Sequence, residues 1–172
     1  MKDLSAYLQV RDSMRTGDGL GFANNSLLGK AIMWRTKGDG PIPHSHWGGI
    51  IRMSEYEGLE RRRFTLEAMS IGFYPDLLSK YITSYDGQIW WYPLRDEWDG
   101  MRQTIGEKAL NLIGARYDWR DVGRQLLGRV STDARRLFCS EAWQLIYGFK
   151  GQALTPTGMH KLGIFQAPAR IL

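Results

Sequence analysis

The segment "SHWGGIIRMSEYEGLERRRFTLEAM", residues 45–69, holds the clearest strand pattern in this chain. Its ends, "SHWGGIIRM" (45–53) and "RRFTLEAM" (62–69), are short and rich in β-forming residues, and the polar "SEYEGLE" separates them. This pattern predicts a β-hairpin. Further along, "QIWWYPL" (88–94) predicts another strand.

Three segments outside the hairpin have apolar residues at helical spacing. "NNSLLGKAIMWRTKG" (24–38) predicts a helix capped by Asn24 or Asn25. "TIGEKALNLIGARYD" (104–118) predicts a second helix, in which Thr104 and Glu107 match a capping box. From Cys139 onward, apolar residues recur at helical spacing at Ala142, Trp143, Ile146 and Phe149.

The order of these elements indicates the fold class. A helix, several strands and two more helices predict an α+β fold, with a small antiparallel sheet or barrel packed against helices. The chain shows no repeat, low-complexity tract or long linker, so we expect one domain over residues 1–172.

Composition narrows the class of protein. A hydrophobic fraction of 43% indicates a folded globule, and a single cysteine cannot form an internal disulfide. The N-terminus lacks the apolar region of a signal peptide, and no apolar run reaches the ~18 residues of a spanning helix. We therefore expect no membrane span, synthesis in the cytoplasm, and a phage-encoded or released protein if the target is the cell wall.

The formal net charge of +5 is compatible with nucleic acid, an anionic membrane surface or an anionic cell-wall polymer as partner. The basic residues are dispersed, with clusters only in "RRR" (61–63) and "RR" (135–136). This dispersal argues against nucleic acid as the partner. A non-enzymatic basic module that binds a polyanion stays open as an alternative, since tryptophans can add stacking to charge.

Cys139 is the candidate nucleophile. The sequence places it at or just before a helix N-terminus, where unpaired N–H groups favour a thiolate and lower the thiol pKa. The same N–H groups could receive an oxyanion. The alternative is that this lone cysteine is a small buried hydrophobic residue.

His46 and Glu67 are the candidate partners of the thiol. A hairpin centred between Tyr56 and Glu57 puts His46 directly opposite Glu67, where the carboxylate would orient the imidazole. His44 competes with His46 but lies in the loop "PIPHS", and His160 falls in a predicted loop. One cysteine and three scattered histidines lack the paired spacing of a zinc site, so we expect neither a metal nor another cofactor.

In their order, several stretches resemble the circularly permuted branch of the NlpC-like papain-fold cysteine hydrolases, the YiiX/YebB-like group. They are "RTGDGLGF", "SHWGGIIRM", "FTLEAMSIGFYPDLLSKYI", "IGARYDW" and "LFCSEAWQLIYGFKGQ". The resemblance covers most of the chain from about residue 16 onward. It implies a permuted papain-like fold in which the histidine precedes the cysteine.

The resemblance also implies site roles. Cys139 would be the nucleophile, His46 the general base and Glu67 the orienting group, with Tyr117 and Trp47 near the substrate. The expected activity is that of a cysteine amidase or peptidase, acting on peptidoglycan stem peptides or a related peptide-like amide. Acyl transfer to or from a lipid-like substrate, or thiol esterase activity on one, is an alternative, because the same triad serves all these reactions.

Overall fold

The structure, a computed structural model, describes residues 2–69, 72–114 and 134–172. A six-stranded antiparallel sheet forms its centre. The strands are β1 (Gly19–Asn24), β2 (His46–Ile51), β3 (Phe64–Met69), β4 (Gly72–Leu77), β5 (Gly87–Tyr92) and β6 (Ala169–Arg170). Their order across the sheet is β4-β3-β2-β1-β5-β6, which puts the strand carrying His46 near the middle.

In the part of the chain that the structure describes, five α-helices surround or precede this sheet. They are α1 (Ser5–Val10), α2 (Leu27–Thr36), α3 (Leu78–Ser84), α4 (Arg102–Leu110) and α5 (Ala134–Ile146). Short 3-10 helices cover Arg11–Ser13, Asp96–Met101 and Thr157–Leu162. No helix in the described residues is long and apolar enough to cross a membrane. The predicted α+β class, with helices packed on an antiparallel sheet, is confirmed.

Strands β2 and β3 pair antiparallel as predicted, but in a different register. Gly49 faces Leu66 and Ile51 faces Phe64, so Gly48 rather than His46 falls opposite Glu67 when this register is continued. The connection is not a two-residue turn centred after Tyr56. It contains successive hydrogen-bonded turns, from Tyr56 to Met53 and from Leu59 to Tyr56. The displacement is two residues, so Glu67 stays on the predicted face.

Alternate strand residues supply two hydrophobic cores. Trp47 and Ile51 of β2 belong to a cluster that includes Trp143 of α5. Ile50 belongs to a second cluster, which includes Ile82 of α3. Because successive side chains of a strand point to opposite faces, the two clusters lie on opposite sides of the sheet.

Two adjacent glycines allow close packing on both faces of β2. A Cβ at Gly49 would lie only 2.3 Å from the Trp143 ring, whereas a Cβ at Gly48 would lie 2.9 Å from Cγ of Glu67. Trp143 is fully buried, and its Nε1 donates to the Leu66 carbonyl at 3.0 Å. The Gly48–Gly49 pair thus admits an indole on one face and a carboxylate on the other.

The predicted helix starts need correction. Ser26, not Asn24 or Asn25, caps α2, because its Oγ accepts from the Gly29 N–H at 3.1 Å. Helix α4 begins at Arg102, before Thr104, and its N-cap residue makes no side-chain hydrogen bond. The predicted capping box therefore does not form.

Asp18, which directly precedes β1, is a buried hydrogen-bond acceptor. Its carboxylate accepts from Nε1 of Trp91 at 2.9 Å, from the Leu94 N–H at 3.0 Å and from the Arg102 guanidinium at 2.8 Å. Asp18 is 1% exposed. One carboxylate therefore joins the start of β1 to β5 and α4.

Candidate functional site

His46 hydrogen-bonds both of its predicted partners. Its Nε2 lies 2.8 Å from Oε2 of Glu67, and its side chain also hydrogen-bonds the Cys139 thiol. Because a carboxylate only accepts, Nε2 carries the hydrogen of the first bond. That leaves Nδ1 as the ring nitrogen available to the thiol. The structure thus brings Cys139, His46 and Glu67 together in one hydrogen-bonded chain.

The position of His46 at the start of β2 explains this double contact. Glu67 extends over the face that Gly48 leaves open, while α5 packs over Gly49 on the other face. As the first residue of the strand, His46 sits at the end of the sheet. There its ring contacts the carboxylate and the helix-borne thiol at once.

Two residues that sequence reasoning missed hold Glu67 in place. Thr65 Oγ1 donates to Oε1 at 2.8 Å, and Tyr81 Oη donates to Oε2 at 3.1 Å. Glu67 is 2% exposed, so these donors replace the water that it loses on burial. Thr65 shares a strand face with Glu67, a signal that period-two alternation could have given. Tyr81 comes from α3, and no sequence spacing indicates it.

Cys139 does not begin a helix. It lies five positions after Ala134, the first residue of α5, and is 6% exposed. No side chain of a capping type directly precedes it in "RRLFC", whose arginines and leucine are good helix formers. The prediction that a helix N-terminus lowers the pKa of this thiol is therefore wrong.

The neighbours of Cys139 lower its pKa instead. Burial alone raises the pKa of this thiol, but the charge and hydrogen bond of His46 outweigh it, together with the backbone amides of Trp47 and Ser140. Burial alone lowers the pKa of His46, but the charge of the Cys139 thiolate and the hydrogen bonds that the imidazole makes with Cys139 and Glu67 raise it well above its usual range. These opposite shifts favour a thiolate–imidazolium pair.

The competing histidines lie elsewhere. His44 is buried, and its Nε2 lies 2.6 Å from the Tyr92 hydroxyl. Burial lowers the pKa of His44 to about 3, so it stays neutral at physiological pH. His160 lies in the 3-10 helix Thr157–Leu162 rather than in a loop, and its Nδ1 lies 2.9 Å from the Thr157 carbonyl. Of the three histidines, only His46 joins Cys139 to a carboxylate.

The two predicted substrate contacts have different outcomes. Trp47 is fully buried, and its ring packs against Tyr92 and Phe165 at centroid distances of 4.9 and 5.5 Å. Its indole is thus a core side chain and not the wall of an open pocket, because "HWGGII" places residue 47 on the inner face packed under α5. Its backbone amide is what reaches Cys139. Tyr117 lies outside the described residues.

The arrangement supports thiolate chemistry. Over the described ranges of the chain, no three His, Cys, Asp or Glu side chains are grouped so that they could hold a metal ion. The side chain of His46 is 23% exposed, whereas that of Glu67 is 3% exposed. A molecule in solution can therefore reach the imidazole more readily than the carboxylate behind it. This arrangement fits a general base, His46, whose ring is oriented by a carboxylate buried behind it.

Comparisons with known proteins find matches among solved structures. No family model matches the chain, and no curated protein matches it. A solved structure, the metalloprotein YiiX from Escherichia coli O157:H7 (DUF1105), aligns with a TM-score of 0.52 at 19% identity. The alignment covers 80% of this chain and 68% of that one. The chain therefore has a YiiX-like fold.

Proposed function

We propose that this protein is a cysteine hydrolase that cleaves an amide bond through an acyl-enzyme intermediate. The observation that carries the proposal is the hydrogen-bonded chain from Cys139 through His46 to Glu67. A nucleophile, a base and an orienting group in contact form the arrangement that thiol hydrolysis requires. On the same grounds we propose that the YiiX-like fold is a circularly permuted papain-like fold of the NlpC type.

Each residue has a defined step in this mechanism. The Cys139 thiolate attacks the carbonyl carbon, and the imidazolium of His46 donates its proton to the leaving amine as the C–N bond breaks. His46 then takes a proton from water, which attacks the thioester and releases the acid and the thiolate. Glu67 keeps Nε2 of His46 as the hydrogen donor, which leaves the other nitrogen facing the reaction.

The proposed substrates are peptide-like amides, with peptidoglycan stem peptides first among them. This choice follows from the resemblance to the NlpC-like hydrolases. Acyl transfer or ester cleavage on a lipid-like substrate is the variant of the same proposal, since the triad is the same and only the acyl acceptor and the pocket differ.

The test is turnover of peptidoglycan fragments and of N-acyl amides, with products identified by mass spectrometry. Cys139→Ala and His46→Ala should each lower kcat by about a thousandfold or more. His160→Ala is the matched control, because this histidine lies outside the triad and should leave turnover unchanged. Both active-site variants should give the circular dichroism spectrum of the wild type, which separates lost chemistry from lost fold. Substrate turnover that survives in Cys139→Ala would sink the proposal.

A further inference from the structure

Helix α2 presents three large apolar side chains to solvent. Leu27, Leu28 and Trp34 are 89%, 52% and 73% exposed. Leu27, Ala31 and Trp34 are spaced by four and three residues, so they form one stripe along the helix. A stripe of this kind normally faces a core, yet here it points away from the protein.

The opposite side of α2 fixes the helix to the protein. Gly29 is its buried residue, and a Cβ there would lie 2.6 Å from the Asn24 carbonyl oxygen. At the other end, Thr36 Oγ1 lies 2.9 Å from Thr157 Oγ1. With both ends held, the outward orientation of the apolar stripe is set by the fold.

Basic residues accompany the stripe. Lys30 and Arg35 lie on α2 and Lys37 follows it, while no acidic residue occurs between Gly19 and Gly38. Nζ of Lys37 lies 5.9 Å from the Trp34 ring centroid. An exposed apolar stripe with lysine and arginine beside it is the pattern of a helix that lies in a membrane interface.

We infer that α2 docks this protein on anionic lipid bilayers, with Leu27, Leu28 and Trp34 inserted at the level of the headgroups. Tryptophan favours that level because its ring is amphipathic, and lysines beside it are attracted to anionic lipid. The inference goes beyond the proposed function, because bilayer binding requires neither Cys139 nor His46.

The composition of the surface favours a bilayer over other partners. A nucleic-acid surface uses aromatic rings for stacking and many cations for phosphates, whereas two of the three large exposed side chains here are leucines. Leucine side chains neither stack on nor hydrogen-bond to nucleic-acid bases, but they add to the apolar area that a bilayer buries. Docking by α2 would also turn one end of the sheet toward the membrane. That end carries His46, because Phe22 faces His46 and α2 follows β1.

The experiment is cosedimentation of the full chain with vesicles of phosphatidylcholine, with and without phosphatidylglycerol. We expect binding to the anionic vesicles that weakens as salt rises, because salt screens the attraction. Leu27→Ser and Trp34→Ser should each weaken the binding by about tenfold. The pair Lys30→Glu and Lys37→Glu should weaken it as strongly on anionic vesicles.

Matched controls separate α2 from general surface properties. Tyr56→Ser removes another exposed ring, 63% exposed in the connection after β2, and should leave vesicle binding unchanged. Lys80→Glu with Lys108→Glu changes the net charge by the same amount as the α2 pair and should have the smaller effect. Thermal unfolding of every variant checks that the fold is kept.

Three outcomes would overturn the inference. The first is wild-type protein that stays in the supernatant with anionic vesicles. The second is binding that the α2 variants leave unchanged. The third is a wild-type dimer that the α2 variants dissociate, without vesicle binding, since the helix would then cover a second copy of the chain.

Discussion

At the scale of single residues, the candidate site depends on how burial and charge oppose each other at Cys139. Burial favours the neutral thiol, so an isolated cysteine at this position would be less reactive than an exposed one. The nearby imidazolium reverses that preference, helped by two backbone amides. Cys139 and His46 therefore have to be treated as one titrating pair.

His46→Ala should move the reactivity of Cys139 to higher pH. Without the imidazole, burial acts against only the amides of Trp47 and Ser140, so the pKa of the thiol rises. The measurement is the rate of iodoacetamide alkylation as a function of pH. In the wild type the rate should rise with pH around a midpoint below the ~8.5 of an ordinary thiol.

The control for this experiment is His160→Ala, because the groups that lower the pKa of Cys139 most are His46 and the backbone amides of Trp47 and Ser140. Its alkylation profile should overlay that of the wild type. Equal midpoints in the wild type and in His46→Ala would show that the two side chains are not coupled.

At the scale of elements, the packing of α5 on β2 depends on a residue without a side chain. Gly49→Ala should lower the free energy of unfolding by about 1–3 kcal/mol, because the new Cβ would overlap the Trp143 ring at 2.3 Å. Trp143 has little room to move, since it is fully buried and its Nε1 is hydrogen-bonded to Leu66. Urea denaturation monitored by circular dichroism measures the change.

Gly100→Ala is the matched control, because nothing lies within 4 Å of a Cβ built there. We expect its urea midpoint to stay close to that of the wild type. If Gly49→Ala were equally well tolerated, the helix would be packed more loosely on the sheet than the distances indicate.

The elements that sequence patterns could predict are those with a strong local signal. The strands of "SHWGGIIRM" and "RRFTLEAM" are β-rich on both sides of a polar connection, and both form as predicted. Strand β4 was missed because Pro75 interrupts its pattern, and a proline is tolerated there because β4 is an edge strand. Strand β6 has two residues, too few for any periodicity.

The contacts of the candidate site could likewise be predicted where they depend on local sequence and not where they depend on long-range packing. His46 and Glu67 could be placed on one face of the hairpin in advance, and they stay there because the register differs from the predicted one by an even number of residues, two. The register was predicted wrongly because the turn was centred between Tyr56 and Glu57, whereas the residue of "SEYEGLE" that takes a positive φ, 83°, is Gly58. Tyr81 reaches Glu67 from a helix, and that contact depends on tertiary packing alone.

At the scale of the whole molecule, Asp18 and Arg102 join the sheet to α4 in a place where water cannot replace either partner. Asp18 is 1% exposed and the side chain of Arg102 is 11% exposed, and they lie 2.8 Å apart. Asp18→Asn would turn an amide nitrogen toward groups that only donate hydrogen bonds. We expect a loss of about 3 kcal/mol in the free energy of unfolding, measured by urea denaturation.

A double-mutant cycle distinguishes this contact from a general loss of charge. Adding Arg102→Met to Asp18→Asn removes the guanidinium that has lost this carboxylate, so the two losses should fall short of additivity by roughly 1–3 kcal/mol. Asp76→Asn is the control, because its pair with Lys80 spans 4.0 Å at the surface and should contribute less than ~1 kcal/mol. Strict additivity of Asp18→Asn and Arg102→Met would mean that the carboxylate stabilises the fold through Trp91, Leu94 and the Arg15 N–H rather than through Arg102. In that case α4 would be held to the sheet by its apolar residues, Ile105 and Ala109, which are both buried.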